Sequence, residues 1–319
     1  MAPTGTPAQT PRLALGIDVG GTGVKAALVD LDTAELASPR VRERTPVPAT
    51  PEAVTETIVR VVARIAEGRA LPADLPVGCG LPGVVKDGRL LTAANIDAGW
   101  VGWPAEERIG AALGRRVRIF NDADAAGLAE LAYGEAAGRP GTVILLTIGT
   151  GIGSAVFLDG KLVPNTEYGH LEFHGRDAET LVSGAARERR KLGWKRWARD
   201  FGAYLAGIEA TMWPDLFIFG GGVSKEWAKW GRHLRARTPI VLARFLNTSG
   251  IIGAAWAAAD AAGRPERGAG PAPAKAAAPP EALPKPKAAA ADVAKPKSDG
   301  KRKPKAAAAP KPKAARGRA

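Results

Sequence analysis

The sequence predicts an α/β protein of two similar halves facing each other across a cleft, and three observations predict it. Apolar-alternating segments interleave with segments of helical period along residues 12 to 262. A Gly-rich hairpin occurs twice: "VGGTGVKAALVD" (19 to 30) and "IGTGIGSAVFLD" (148 to 159) share an adjacent glycine, a second Gly-rich turn, an alternating strand and a terminal Asp, at a constant offset of 129 residues. From about Arg264 the composition collapses to Ala, Pro and Lys with no Trp, Tyr or Phe, so no apolar face remains to be buried.

Taken in order, "RLALGIDV" and "GVKAALVD" alternate as strands. Val54, Ile58, Val61, Val62 and Ile65 recur at helical spacing behind Thr50-Pro51. "PVGCG" reads as a strand and "VKDGRLL" as a hairpin on an Asp-Gly turn. A short helix near Glu106 to Leu113, the strand "RVRIF", an Ala-rich helix from about Ala123 to Tyr133 and the strand "TVILLTI" follow. Thr180 to Trp213 reads mainly as helix, "DLFIF" as a buried strand, Lys225 to Ala236 as helix and Gly250 to Ala262 as a closing helix.

With 319 residues and 45% hydrophobic content the chain can hold two domains of ordinary size. Residues 264 to 319 carry 15 of the 45 Lys+Arg and 4 of the 32 Asp+Glu, net +11; the preceding residues keep 30 and 28, net +2. The basicity belongs to the tail, which reads as disordered. Cys79, the only cysteine, excludes an intramolecular disulfide and a Cys-rich zinc framework, and points to a reducing compartment. The first residues show no apolar core behind a basic start, and no uninterrupted apolar run reaches about 18 residues. The expectation is a soluble, cytoplasmic chain with no membrane partner.

One Gly-rich hairpin alone marks a tight turn; a duplicated one asks for a use. "GGTGVKA" has Gly21, Gly23 and Ala26 in dinucleotide-fingerprint order, but Val24, Ala26 and Leu28 continue as a strand where that fold needs a helix. The Walker pattern fails as well, since neither Gly precedes Lys25 nor Ser/Thr follows it. What remains is a turn whose N–H groups at Gly20 to Gly23, with Thr22 and Lys25, form an anion-binding concavity. Asp18 opposes a phosphate there unless a divalent cation lies between.

Two other stretches carry chemistry. In "FNDADAAG", Asn121 and Asp122 stand at a strand-to-helix junction, where Asp122 is either a helix N-cap or a functional carboxylate. "NTEYGHLEFHG" places His170, His174, Glu167 and Glu172 within eight positions, open to a metal site, an acid/base pair or a ring of hydrogen-bonding groups.

Together "GIDVGGTGVKAALVD", "NDADAAGLAE", "LLTIGTGIGSAVF" and "IFGGGVS" resemble, in order, the phosphate, connecting and donor-side segments of sugar kinases of the ROK family, over roughly residues 12 to 262. "AANIDAGW", "VPNTEYGHLE" and "WPDLFIFGGG" are most similar to the members that use inorganic polyphosphate. The resemblance implies a two-domain actin/hexokinase-like (ribonuclease H-like) fold with an interdomain cleft. Its domains are residues 12–121 and 122–249, with the closing helix 250–262 packed back on the first, a flexible stretch 1–11 and the tail 264–319. It implies transfer of a phosphoryl group from polyphosphate, and also from ATP, to the 6-hydroxyl of glucose with Mg²⁺, in a homodimer.

By that resemblance Asp122 is the general base and Asn121 positions ring hydroxyls. Asn95, Glu167, His170 and Glu172 complete the sugar ring, with Trp100 near the same pocket. The donor side comprises Asp18 (through Mg²⁺), Gly20, Gly21, Thr22, Gly23, Lys25, Thr147, Gly149, Thr150, Gly151, Gly220, Gly221 and Gly222. Most ROK proteins follow the histidine with zinc-binding cysteines; residues 171 to 200 here have none, so no zinc is expected.

Two alternatives are a purely ATP-dependent ROK hexose kinase and a sugar-sensing DNA-binding regulator. Against the latter, 11 residues before the first strand leave no room for a winged helix, and Asp122 is retained. The tail is either a solubilising extension with no partner or an arm that binds long polyphosphate, and nucleic acid without sequence preference. Cys79 reads as a buried small hydrophobe, His233 as surface, and Trp194 and Trp197 as packing residues. Arg187, Arg189, Arg190, Lys191, Lys195 and Arg196 are a solvated face or a track for a polyanion.

Overall fold

The computed structural model describes residues 12–93 and 96–263. The expectations for residues 1–11, for the tail 264–319 and for Asn95 lie outside the described residues.

Strands β1 (Leu13–Gly20) and β2 (Gly23–Asp30) pair antiparallel, from Leu13 opposite Asp30 to Gly20 opposite Gly23. Strands β3 (Glu35–Leu36) and β4 (Val41–Glu43) both pair with β2. After α1 (Pro51–Ala66), β5 (Val77–Leu81) lies parallel to β1. A small hairpin of β6 (Val85–Lys86) and β7 (Arg89–Leu90), helix α2 (Ala105–Leu113) and β8 (Arg118–Asn121) follow. The sheet order is β3-β2-β1-β5-β8.

The second half repeats the plan. Helix α3 (Asp122–Tyr133) leads to β9 (Thr142–Ile148), β10 (Ile152–Leu158) and β11 (Lys161–Val163), and then to the hairpin of β12 (Glu172–Phe173) and β13 (Arg176–Asp177). Helices α4 (Glu179–Val182), α5 (Gly184–Arg189) and α6 (Trp194–Met212) precede β14 (Leu216–Gly220), α7 (Trp227–Trp230), β15 (Ile240–Leu242) and α8 (Ser249–Gly263). This sheet runs β11-β10-β9-β14-β15. Each sheet thus begins with antiparallel strands and adds two parallel ones, as the duplicated hairpin predicts.

The first sheet is covered on both faces, which explains why all of β5 is buried. On one face α1 packs Val54, Ile58, Val61, Val62 and Ile65, with Thr50 accepting from the N–H of Ala53 as its N-cap. Each such burial contributes about 1.5–3 kcal/mol, against about 1 kcal/mol for the cap, so the apolar face decides the helix. On the other face α8 lies close: a Cβ on Gly16 or Gly78 would collide with the carbonyl oxygen of Ile251 or Ala254. Gly253 meets the backbone of Ala125 on α3 in the same way, and Gly127 of α3 faces Ala155 and Phe157 of the second sheet. Helices α3 and α8 are therefore the shared layer between the sheets.

Three expectations are corrected. The helical stretch Thr180 to Trp213 is three helices: Ser183 breaks it by capping α5, accepting from Ala186, and Lys191 turns the chain at φ +50°. The helix expected over Lys225 to Ala236 shrinks to α7 between two 3₁₀ turns. There Trp230 donates to the Val223 carbonyl and joins Trp197, Phe201 and Phe219 in the core, a burial a straight helix would forgo. Trp100 is fully buried against α1, donating to the Ala49 carbonyl, and does not line the cleft. Trp197 and Cys79 are buried, as the sequence suggests.

Candidate active site

A cleft of about 390 Å³ opens between the two Gly-rich turns. On the first turn, Thr45 Oγ1 donates to the Gly20 carbonyl at 2.6 Å and Arg42 Nη2 to the Thr22 carbonyl at 3.0 Å. With both carbonyls tied back, the N–H groups of Gly21 and Thr22 have no partner among the described residues. The second turn, Gly149 to Gly151, closes on itself through the Gly149 N–H and the Gly151 carbonyl. It also receives the N–H of Ala185 on the Gly149 carbonyl. Gly221, at φ +80°, presses against the Ile148 backbone where no side chain fits, and with Gly222 extends this wall. Such exposed amides suit a phosphate chain.

At the floor, Asn121 rather than Asp122 caps α3: its Oδ1 accepts from the N–H groups of Ala123 and Asp124, both at 2.9 Å. Asp122 is left at the first helical position with its carboxyl in the cleft. Gly80 lies directly beneath it, close enough that a Cβ there would be in van der Waals contact with Asp122. Burial first, then the carboxylate of Asp18, pushes Asp122 up to about 7. A carboxyl near neutrality is matched to proton transfer.

The sugar-side loop is pinned from behind. Ser154 Oγ donates to the Thr166 carbonyl at 2.6 Å and accepts from the Tyr168 N–H, and Tyr204 donates to the Tyr168 carbonyl. Glu167 accepts from Asn121 Nδ2 at 3.1 Å, and burial raises its pKa. His170 Nδ1 lies 2.9 Å from Asp177 and Nε2 lies 3.9 Å from Glu167. Burial opposes charging His170, but the Asp177 hydrogen bond and the carboxylates of Glu179 and Glu167 outweigh it and raise its pKa.

A model of the ROK family matches residues 14–185, more than half of the chain. The chain belongs to the ROK family. A polyphosphate glucokinase of Mycobacterium tuberculosis is 49% identical over 251 residues, 78% of this chain and 92% of that one. Among solved structures, the inorganic polyphosphate/ATP-glucomannokinase of Arthrobacter sp. strain KM is 48% identical. It superposes with a TM-score of 0.76 over 78% of this chain and 99% of its own. A ROK family glucokinase from Streptomyces griseus, solved with glucose and AMPPNP, is 28% identical at a TM-score of 0.67, covering 78% and 99%.

Within this ROK chain the cleft gathers Asp18, Gly20, Gly21, Thr22, Lys25, Asn121, Asp122, Thr147, Gly149, Thr150, Gly151, Glu167, His170, Gly221 and Gly222. It does not gather three others. Glu172 is exposed on β12, whose hairpin carries it outside the lining; Gly23 is covered by the Arg42 guanidinium; Gly220 ends β14 beneath Ala243. Both polar atoms of the Asn121 amide are engaged within the protein, on the α3 amides and on Gly83 and Glu167. His174 packs at a tilt against Phe173, away from the lining.

Glu179, at the start of α4, was missed by the sequence reading. Its Oε2 accepts from the Ile152 N–H at 3.1 Å and it lines the cleft beside His170. The signal available for it is an acidic residue immediately before the helical run that begins at Thr180.

Proposed function

We propose that this protein transfers the terminal phosphoryl group of inorganic polyphosphate, with ATP as a second donor, to the 6-hydroxyl of glucose. The observation that carries this reading is Asp122: a carboxyl held near neutrality between two amide-lined turns, beside a ring of hydrogen-bonding side chains. The polyphosphate glucokinase and glucomannokinase relatives, at 49% and 48% identity, support the choice of donor and sugar.

In this mechanism Glu167, His170 and Glu179 hold the sugar hydroxyls, and Asn121 acts from behind by fixing Glu167 and the first turn of α3. Asp122 takes the proton from the 6-hydroxyl as that oxygen bonds to the terminal phosphorus. The bridging P–O bond breaks, and the donor leaves one phosphate shorter. Base catalysis of this kind contributes about 10²–10⁴-fold; alignment and charge stabilisation supply most of the rest. Lys25 and the N–H groups of Gly21, Thr22 and the second turn stabilise the donor oxygens.

The donor set at the first turn fits Mg²⁺: Asp18 offers a hard carboxylate at the base of a phosphate-sized concavity, its charge already shared with Lys25 Nζ at 2.7 Å. When bound there, Mg²⁺ offsets charge on the donor phosphates. The two sheets with their helices act as lobes that close on the sugar and exclude water. A homodimer in a reducing cytoplasm is the setting we assign.

A coupled assay for glucose 6-phosphate, run separately with polyphosphate and with ATP, tests the reading. Turnover with ATP alone replaces it by an ATP-dependent hexose kinase.

A further inference from the structure

Asp18, Lys25 and Arg42 stand side by side on three neighbouring strands. Asp18 is the register partner of Lys25 across β1 and β2, and Lys25 is the partner of Arg42 across β2 and β4. Residues directly opposite in an antiparallel ladder project from one face. That face is the one away from α1, since the alternate residues Val24, Ala26 and Val41 pack in the α1 core and Glu43 reaches Arg60 of α1; Asp18 and Lys25 line the cleft there, and Arg42 stands next in the row just outside the lining. On the other side of Asp18 its partner on β5 is Gly80, the residue over which Asp122 sits. A straight row therefore runs from Asp122 past Asp18 and Lys25 to Arg42, each strand step being about 4.8 Å.

The charges along this row are uneven. Asp18 and Lys25 largely cancel at 2.7 Å, whereas Arg42 has no carboxylate partner among the described residues. Arg42 is exposed but tethered: its Nη2 bond to the Thr22 carbonyl holds the guanidinium against the first turn beside Gly23. One of five N–H donors is spent there, and the remainder suit phosphate oxygens, which a guanidinium binds as a fork.

We propose that Arg42 is a subsite for the donor phosphates beyond the one transferred. With its terminal phosphoryl group beside Asp122, an extended inorganic phosphate chain runs outward along the row and meets Arg42 two strands from Asp18. A nucleoside triphosphate ends its phosphates sooner and makes less use of the outer position. The proposal rests on the polyphosphate reading above.

The test compares wild type, Arg42→Ala and Arg42→Lys with long-chain polyphosphate, tripolyphosphate and ATP, at saturating glucose and several salt concentrations. Losing a charge-assisted contact should raise the KM for long-chain polyphosphate about tenfold or more in Arg42→Ala, with smaller changes for the two short donors. The dependence of log KM on log salt should also flatten, and Arg42→Lys should recover part of both effects. Equal losses with all three donors would reduce Arg42 to a clip for the turn and overturn the subsite, as would no loss at all. A wild-type enzyme inactive with polyphosphate overturns the underlying reading and the subsite with it.

Discussion

Asn165 closes its side-chain amide on the backbone of Val85, accepting from the Val85 N–H at 2.7 Å and donating to the Val85 carbonyl at 2.9 Å. Its own N–H donates to Asp124 Oδ2 at 2.7 Å. A first-half hairpin, the first turn of α3 and the loop carrying Glu167 are thereby tied at one residue. Asn165→Gly keeps the φ +60° backbone but deletes the clasp, and should cost about 1–3 kcal/mol of stability with a raised KM for glucose. Chemical denaturation and steady-state kinetics read the two effects.

Asp122→Asn should retain fold and glucose binding while kcat falls about 10²-fold or more, as expected for loss of a general base. Near-normal turnover in a folded variant would remove Asp122 from the chemistry.

Activity should fall as pH drops through about 7, because Asp122 must be ionised to accept the proton. Stability should run the other way. Burial raises Asp122 and Asp124 each to about 7, so between about pH 4 and 7 the folded chain holds protons that the unfolded chain has released. That contribution is complete below about pH 4 and is lost as pH rises through 7. Urea midpoints of the free enzyme from pH 5 to 8 should therefore decline, and Asp124→Asn should flatten the slope. A buried Oδ1 of Asp124 without a partner is consistent with a protonated carboxyl.

His170→Ala should weaken glucose binding without altering metal content, because His170 is engaged with Asp177 and Glu167. Elemental analysis of the purified protein should find no stoichiometric zinc; one tightly held zinc per chain would reverse that view of the loop.

Gly253→Ala should destabilise by about 1–3 kcal/mol or more, since the added methyl runs into the Ala125 carbonyl and must push α8 from α3. A thermal melt unchanged from wild type would show that the two helices can separate freely.

The architecture was legible because each element announced itself locally: the repeated turn fixed two like sheets, and Thr50-Pro51 fixed the start of α1. From its neighbours alone Asp122 was legible only as a cap or a functional carboxylate, because choosing between Asn121 and Asp122 for the cap needs backbone geometry; the role of general base came from the family resemblance. Glu172 was expected in the sugar ring and Glu179 was not, for a related reason. Both are acidic residues near His170, and only the turn at His174, with φ +54°, shows which one comes back to the cleft. The shortening of the expected helix to Trp227–Trp230 was hidden because aromatic burial from distant strands, not local propensity, bends the chain on either side of it.

Helix α8 covers β1 through Gly16 and β5 through Gly78, yet it is synthesised more than two hundred residues after β1. At roughly 5–20 residues per second, the completed first sheet waits on the order of ten seconds on the ribosome before α8 begins to be made. Its residues on the face that α8 covers are mostly small: Ala14, Gly16, Ala27 and Gly78 present little apolar area to a passing chain. The glycines that let α8 seat so closely therefore also limit what a half-made chain can stick to, and larger side chains there should show first as poor yield from translation.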